Sequence, residues 1–146
     1  MQPERFQLVS AIFILLIKDG KIFLSKRKNT GWADGKYSIV GGHMDGGETA
    51  RQAAVREAWE ETGVKVIEKD LQFFNVAHIV TNTERVHISF LANKWEGEAV
   101  NNEPEKAESA GWFSLDNLPE NLTEISGKTI EWYKNKIMYS EFGWEN

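Results

Sequence analysis

Cysteine is absent from the 146-residue chain. That absence removes disulfides, thiolate zinc sites and a cysteine nucleophile together. Positive charge is in deficit, with 17 Lys and Arg against 22 Asp and Glu for a net charge of −5. This is the wrong sign for a protein that holds a nucleic-acid polymer through its phosphates. A long apolar run is missing too: the longest, Leu8 to Ile17, includes Ser10 and is about half of the ~20 residues that span a bilayer. Met1 to Arg5 carries one charge of each sign and lacks the basic start and small-residue cleavage site of a secretory signal, so no membrane partner and a cytoplasmic location are expected. What is present is 41% hydrophobic, 12% aromatic and 27% charged residues, enough to build a packed interior. At about 100–200 residues per domain, residues 1–146 are expected to form one domain.

The β-branched run Leu8 to Ile17 enters Asp19-Gly20 and returns through Ile22-Phe23-Leu24, which predicts a hairpin. A polar stretch from Lys26 to Lys36 follows, then a short apolar segment, Tyr37 to Val40, ending at Gly41-Gly42. Thr49-Ala50-Arg51-Gln52 has the form of a capping box, and the helical pattern it opens runs to Thr62 before Gly63 offers a left-handed cap. Val64 to Ile67, Leu71 to Val80 and Arg85 to Trp95 read as strands of a mixed sheet. A Glu- and Asn-rich loop spans Ala99 to Ser109, and Trp112 to Leu115 is a short last strand. Glu124 to Tyr139 predicts a C-terminal amphipathic helix whose first turn is weakened by Gly127.

The chemistry concentrates between Gly42 and Val64, with the spacing Gly-x5-Glu-x7-Arg-Glu-Ala-x-Glu-Glu-x-Gly-Val. On a helix, Glu57, Glu60 and Glu61 fall within a sector of about 100°, next to an apolar face of Ala54, Val55, Ala58 and Trp59. Carboxylates about 5 Å apart repel by about 3 kcal/mol at an effective dielectric near 20, so three together need water or a cation. Hard oxygen ligands suit Mg²⁺, or Mn²⁺. A bare Glu-x-x-Glu-Glu also fits a solvated helix face with Arg56 and Glu60 as an ordinary i,i+4 pair.

The full spacing resembles the signature of the Nudix (MutT-like) hydrolases at every defined position, with Ala58 standing at an aliphatic one. The resemblance implies an α/β fold, an α/β/α sandwich around a mixed β-sheet, and hydrolysis of a nucleoside diphosphate linked to another group. Carried over by position, it makes Glu57, Glu60 and Glu61 ligands of the divalent metal, with the Gly41 carbonyl as a further one. Glu48 and Arg56 become a pair bracing the loop onto the helix. The implied reaction is metal-assisted substitution at phosphorus, with Mg²⁺ neutralising phosphate charge and orienting or deprotonating the water. The general base, or a fourth carboxylate ligand, is sought outside the motif at Glu103, with Glu105 and Glu108 as rivals; a plain solvated acidic loop is the alternative. Arg27 is chosen among Lys26, Arg27 and Lys28 to meet the substrate's phosphates. Trp32, or Phe74, is a candidate to stack on a base, against ordinary packing. His43, His78 and His87 do not cluster and are expected to be structural or exposed.

Markers of several subgroups are missing. Val80 stands where the ADP-ribose type has a proline, and none occurs between Pro3 and Pro104. Val80-Thr81-Asn82 lacks the tyrosine of the dinucleoside polyphosphate type. The arrays of the NADH and coenzyme A types are absent, and the isomerase that shares the fold needs a cysteine. The remaining expectation is a nucleoside triphosphate cleaved to a monophosphate and pyrophosphate, an oxidised purine nucleotide being one substrate considered. A non-catalytic nucleotide-binding module and a nucleotide-sugar hydrolase stay open as alternatives, and Trp132, Tyr133 and Trp144 are read as core or a homodimer face.

Overall fold

The computed structural model describes residues 3–145. Strand β1 (Val9–Lys18) alternates its side chains between two cores. Ile12, Ile14 and Leu16 enter one, and Leu15 joins Ile22 and Leu24 in the other. Asp19 and Gly20, at φ 54° and 74°, make the tight turn into β2 (Lys21–Arg27), since both central residues need positive φ to match the strand twist. β2 continues past the expected Leu24 because a later strand, Ala107–Ser114, pairs along its whole length.

The expected short strand is two, β3 (Tyr37–Ser38) and β4 (Val40–His43). The Ile39 N–H between them turns away to the Ser126 hydroxyl at 3.1 Å. Helix α1 (Ala50–Thr62) keeps its expected bounds and caps. Its apolar face is narrower than the sequence suggests: Ala53, Ala54 and Ala58 are fully buried, whereas Trp59 is 58% exposed. The alanines let the helix axis approach the sheet closely, a spacing that an indole would not fit.

Beyond α1 come β5 (Lys65–Val66), one 3₁₀ turn at Glu68–Asp70, β6 (Gln72–Val80), β7 (Glu84–Ala92), β8 (Trp95–Glu96), β9 (Ala107–Ser114), α2 (Glu124–Lys134) and β10 (Tyr139–Phe142). The main sheet runs β10-β6-β7-β1-β2-β3, with β4 added to β1 and β9 to β2, and β5 and β8 form a separate pair. It is mixed: β1 with β7 and β10 with β6 are parallel, and the remaining pairs are antiparallel. α1 covers one face over Ile12, Ile14 and Phe90, and α2 covers the other through Ile130 against Leu15 and Leu91. The expected sandwich is therefore present.

The C-terminal helix is shorter than expected. It stops at Lys134, Lys136 takes a left-handed φ of 56°, and Tyr139–Phe142 adds a parallel strand to β6. Asn75, fully buried, directs this reversal by donating to the Ile137 carbonyl at 2.8 Å and the Ser140 hydroxyl at 3.0 Å. Among the described residues, no helix is long and apolar enough to cross a membrane.

One feature of β1 makes room for a site. It pairs with β4 through Ala11–Ile14 but with β2 only at Ile17 and Lys18, so β2 and β4 diverge from a common strand. The cleft between them is lined by Ser25 and Arg27 on one side and by Gly41, Gly42 and α1 on the other.

Candidate active site

The capping box fixes where α1 begins. The Thr49 hydroxyl accepts the Gln52 N–H at 3.1 Å, and the Gln52 side-chain oxygen accepts the Thr49 N–H at 2.9 Å. One turn apart near the other end, Glu57 and Glu61 turn toward the cleft. Glu61 Oε2 accepts the Gly41 N–H at 2.9 Å. Burial, then the neighbouring charge of Glu57, holds the Glu61 carboxyl well above the usual range, and Glu103 adds to it. Burial also raises Glu57, against the pull of Arg56. Glu57 raises Glu61 by its charge, while the hydrogen bond from Glu61 pulls Glu57 down, so the two carboxyl groups share a proton or meet a cation.

Arg56 is the hub of the motif. It donates to Glu48 through Nε at 3.1 Å and Nη2 at 2.8 Å, to Glu57 at 2.9 Å and to the His43 carbonyl at 3.1 Å. Glu48 in turn accepts the Asp45 N–H at 2.7 Å, so helix and preceding loop are tied through a planar fork that lysine does not possess.

Glu60 borders the same cleft, at its solvent side. It is exposed and lies 3.3 Å from Arg56 Nη1, so the i,i+4 pair is formed. Among the described residues, no three His, Asp or Glu side chains converge as a ready metal cage. The site is a carboxylate pair plus a third carboxylate turned to Arg56. The donors still fit a hard divalent cation: both inward groups are carboxylates whose shared repulsion such an ion relieves. The wall beside them is cut back at Gly42, where a Cβ would stand 2.5 Å from Glu57 Oε1.

The loop carrying Glu103 is tethered rather than flexible. Val100 N–H donates to the Thr62 carbonyl at 2.9 Å and Asn102 N–H to the Glu61 carbonyl at 3.1 Å, while the Asn102 amide reaches the Trp59 and Glu60 carbonyls at 3.2 Å. These bonds satisfy the orphan carbonyls that end α1 and bring Glu103 into the cleft. Glu105 is exposed outside it, and Glu108 pairs with Lys26 at 3.5 Å.

Arg27 and Trp32, expected as separate contacts, form one unit. Arg27 Nε donates to the Trp32 carbonyl at 2.8 Å, Nη2 to the Thr30 hydroxyl at 2.9 Å, and the guanidinium lies 4.8 Å from the indole centroid. Asp34 anchors this loop by accepting from the Thr30 hydroxyl at 2.6 Å and the Gly31 N–H at 3.1 Å. Arg27 faces both the carboxylate cleft, of about 540 Å³, and a second cavity of about 750 Å³ walled by Phe13, Ile39 and Ile125. Trp32 borders only the second. Phe74 is packed edge-on against Tyr133 and takes no part in either. Trp132 is core, and Trp144 lies over His78 at 4.8 Å. His43 and His87 line the second cavity, a placement that no sequence spacing indicated.

Paired carboxylates on a capped helix, a glycine turn beside them and a mixed sheet between two helices define a Nudix-type phosphoanhydride hydrolase. The chain belongs to the NUDIX domain family, whose sequence model matches residues 7–133. It is 29% identical over 133 residues to the oxidized purine nucleoside triphosphate hydrolase of Danio rerio, covering 88% of this chain and 80% of that protein. It is 32% identical over 112 residues to the NAD-capped RNA hydrolase NudC of Chromobacterium violaceum, covering 76% of this chain and 40% of the relative. The match thus spans about two-fifths of that relative's length. The crystal structure of the MutT NUDIX hydrolase from Burkholderia pseudomallei superposes with a TM-score of 0.79 at 28% identity, covering 91% of this chain and all of that one. Nudix hydrolases as a family act on nucleoside diphosphate derivatives.

Proposed function

We propose that this single domain is a Mg²⁺-dependent nucleoside triphosphate pyrophosphohydrolase, also served by Mn²⁺, that releases a nucleoside monophosphate and pyrophosphate. The observation that carries the reading is continuity: the carboxylate cleft and the apolar-walled cavity share Arg27, Ser38, Gly41, Gly42, His43 and Glu61. A polyphosphate at one end and a base at the other match a polar cleft joined to an apolar one. A small nucleotide is the partner, with no nucleic-acid polymer involved.

Glu57, Glu61 and Glu60, with the Gly41 carbonyl, are the residues that would hold the metal, Glu60 by leaving Arg56. When bound, the ion supplies charge neutralisation at the phosphates and a more acidic water. The protein's own residues do the rest. Glu103 takes the proton of the attacking water as its oxygen bonds to phosphorus, while the α–β anhydride P–O bond breaks and its electron pair leaves with the departing one of the two products, the nucleoside monophosphate or pyrophosphate. Arg27 offers charge to the phosphates, and Trp32 offers a face to the base. Arg56 and Glu48 keep Glu57 in place.

The test incubates the protein with Mg²⁺ and a panel of nucleoside triphosphates, nucleotide sugars, dinucleoside polyphosphates, ADP-ribose and NAD⁺, then identifies products. Monophosphate and pyrophosphate from a triphosphate support the reading. Selective cleavage of another class replaces it, and binding of nucleotides without cleavage of any makes the protein a binding module.

A further inference from the structure

The second cavity contains two polar groups that the proposed chemistry does not use. His87, on β7, is 4% exposed, and neither of its ring nitrogens has a hydrogen-bond partner. Its only close aromatic neighbour among the described residues is Phe13, edge-on at 4.8 Å. Two residues along the same strand, and so on the same face, Arg85 donates through Nη2 to the Thr81 hydroxyl at 3.1 Å while its buried Nε is unpartnered. Burial, with the nearby charges of Arg85 and His43, lowers the His87 pKa to about 4, so the imidazole is neutral near pH 7. A buried polar atom left without a partner is destabilising, and such a cost is retained where a ligand repays it.

A neutral imidazole offers one donor and one acceptor, and the guanidinium Nε offers one more donor. Together they present two donors and one acceptor at an apolar-walled cavity that opens onto the phosphate end. We propose that His87 and Arg85 read the base, selecting an edge that carries two carbonyl oxygens and one N–H. Two bases have such an edge: uracil or thymine on the pairing side, and guanine oxidised at C8 on the side of its five-membered ring. Cytosine and adenine do not match it, and unmodified guanine satisfies it only in part. The nitrogens are covered in the ligand-free protein, so they meet the base as the wall adjusts around it, a side-chain change common on binding. This inference rests on the proposed nucleotide-hydrolase reading for the orientation of the ligand.

The experiment is calorimetric titration of the protein with nucleoside monophosphates, which requires no turnover: UMP, dTMP and 8-oxo-dGMP against CMP, AMP and GMP. At least one of the first three is expected to bind tenfold or more tighter than CMP and AMP. Tight UMP and dTMP identify the pyrimidine, and tight 8-oxo-dGMP the oxidised purine. His87→Leu should reduce that preference to threefold or less, and His87→Gln, which keeps a donor and an acceptor, should restore part of it. In turnover of the preferred triphosphate, the His87→Leu loss should appear in KM rather than kcat. Leucine leaves no partner stranded, so His87→Leu is expected to fold, checked by its melting curve. Equal binding of all six nucleotides, or a preference unchanged in His87→Leu, overturns the assignment. Triphosphate hydrolysis with no base preference removes this inference and leaves the enzyme reading. A His87-dependent preference without hydrolysis does the reverse.

Discussion

The backbone N–H of Gly41 donates to Oε2 of Glu61 at 2.9 Å, joining strand β4 to the helix twenty residues further on. One strong bond therefore fixes a carboxylate whose burial disfavours its charge. Glu61→Gln is expected to lower turnover a hundredfold or more, as loss of a major charge at the reacting centre does. A carboxyl group raised above its unfolded value stabilises the fold at low pH and loses that contribution as pH rises through its folded pKa. The variant should therefore melt higher than the wild type near neutral pH without metal, and gain less from added Mg²⁺. A lower melting point without metal would contradict this account.

The two glycines of the turn predict different losses. A Cβ at Gly42 meets only the mobile end of Glu57, at 2.5 Å, whereas one at Gly41 collides with the Ile12 carbonyl and the Phe13 ring. Gly42→Ala should stay folded and lose tenfold or more in activity by displacing the carboxylate. Gly41→Ala should lose stability, by about 1–3 kcal/mol if its neighbours can relax. Thermal melting and initial rates separate the two.

Arg56→Lys keeps the charge but not the fork that spans Glu48, Glu57 and the His43 carbonyl. A tenfold or greater fall in kcat/KM is expected. Activity within twofold of wild type would show that charge alone suffices.

Of the three acidic loop residues, only Glu103 faces the cleft. Glu103→Gln is expected to reduce kcat about a hundredfold, in the range for a positioned general base, while Glu105→Gln and Glu108→Gln stay within twofold. Equal effects at all three would return the loop to a solvated acidic surface.

His87 should make the fold acid-sensitive. Its folded pKa, about 4, lies below the ordinary 6.5, so the unfolded chain binds the proton first as pH falls. Stability is then lost progressively from about pH 6.5 to pH 4, by at most about 3 kcal/mol. Denaturant unfolding of wild type and His87→Leu across that window measures it; parallel pH profiles would refute it.

What was legible in the sequence is what local hydrogen bonding and side-chain period control. Thr49, Gln52 and Gly63 set both ends of α1 within the helix itself, and the unbroken apolar run of β1 declares a buried strand. The motif spacing was equally readable, because a helix of 3.6 residues per turn places Glu57 and Glu61 side by side wherever it is found. Trp59 misled, because side-chain polarity does not say how close a helix lies to its sheet.

The sequence by itself thus determined the family, the helix that carries the carboxylates and the apolar core strand β1. Tertiary structure alone decided the rest. β10 exists because Asn75, more than sixty residues away, bonds Ile137 and Ser140 and outweighs the local helical pattern. Glu103 is distinguished from its neighbours because Asn102 caps a helix some forty residues earlier. Glu60, at the edge of the cleft, is held by Arg56, and His87 reaches the cavity because β7 pairs with β1 in a register that puts it opposite Ala11. Each is a contact between segments distant in sequence or a competition among several partners, and its energy depends on where the other segment has already folded.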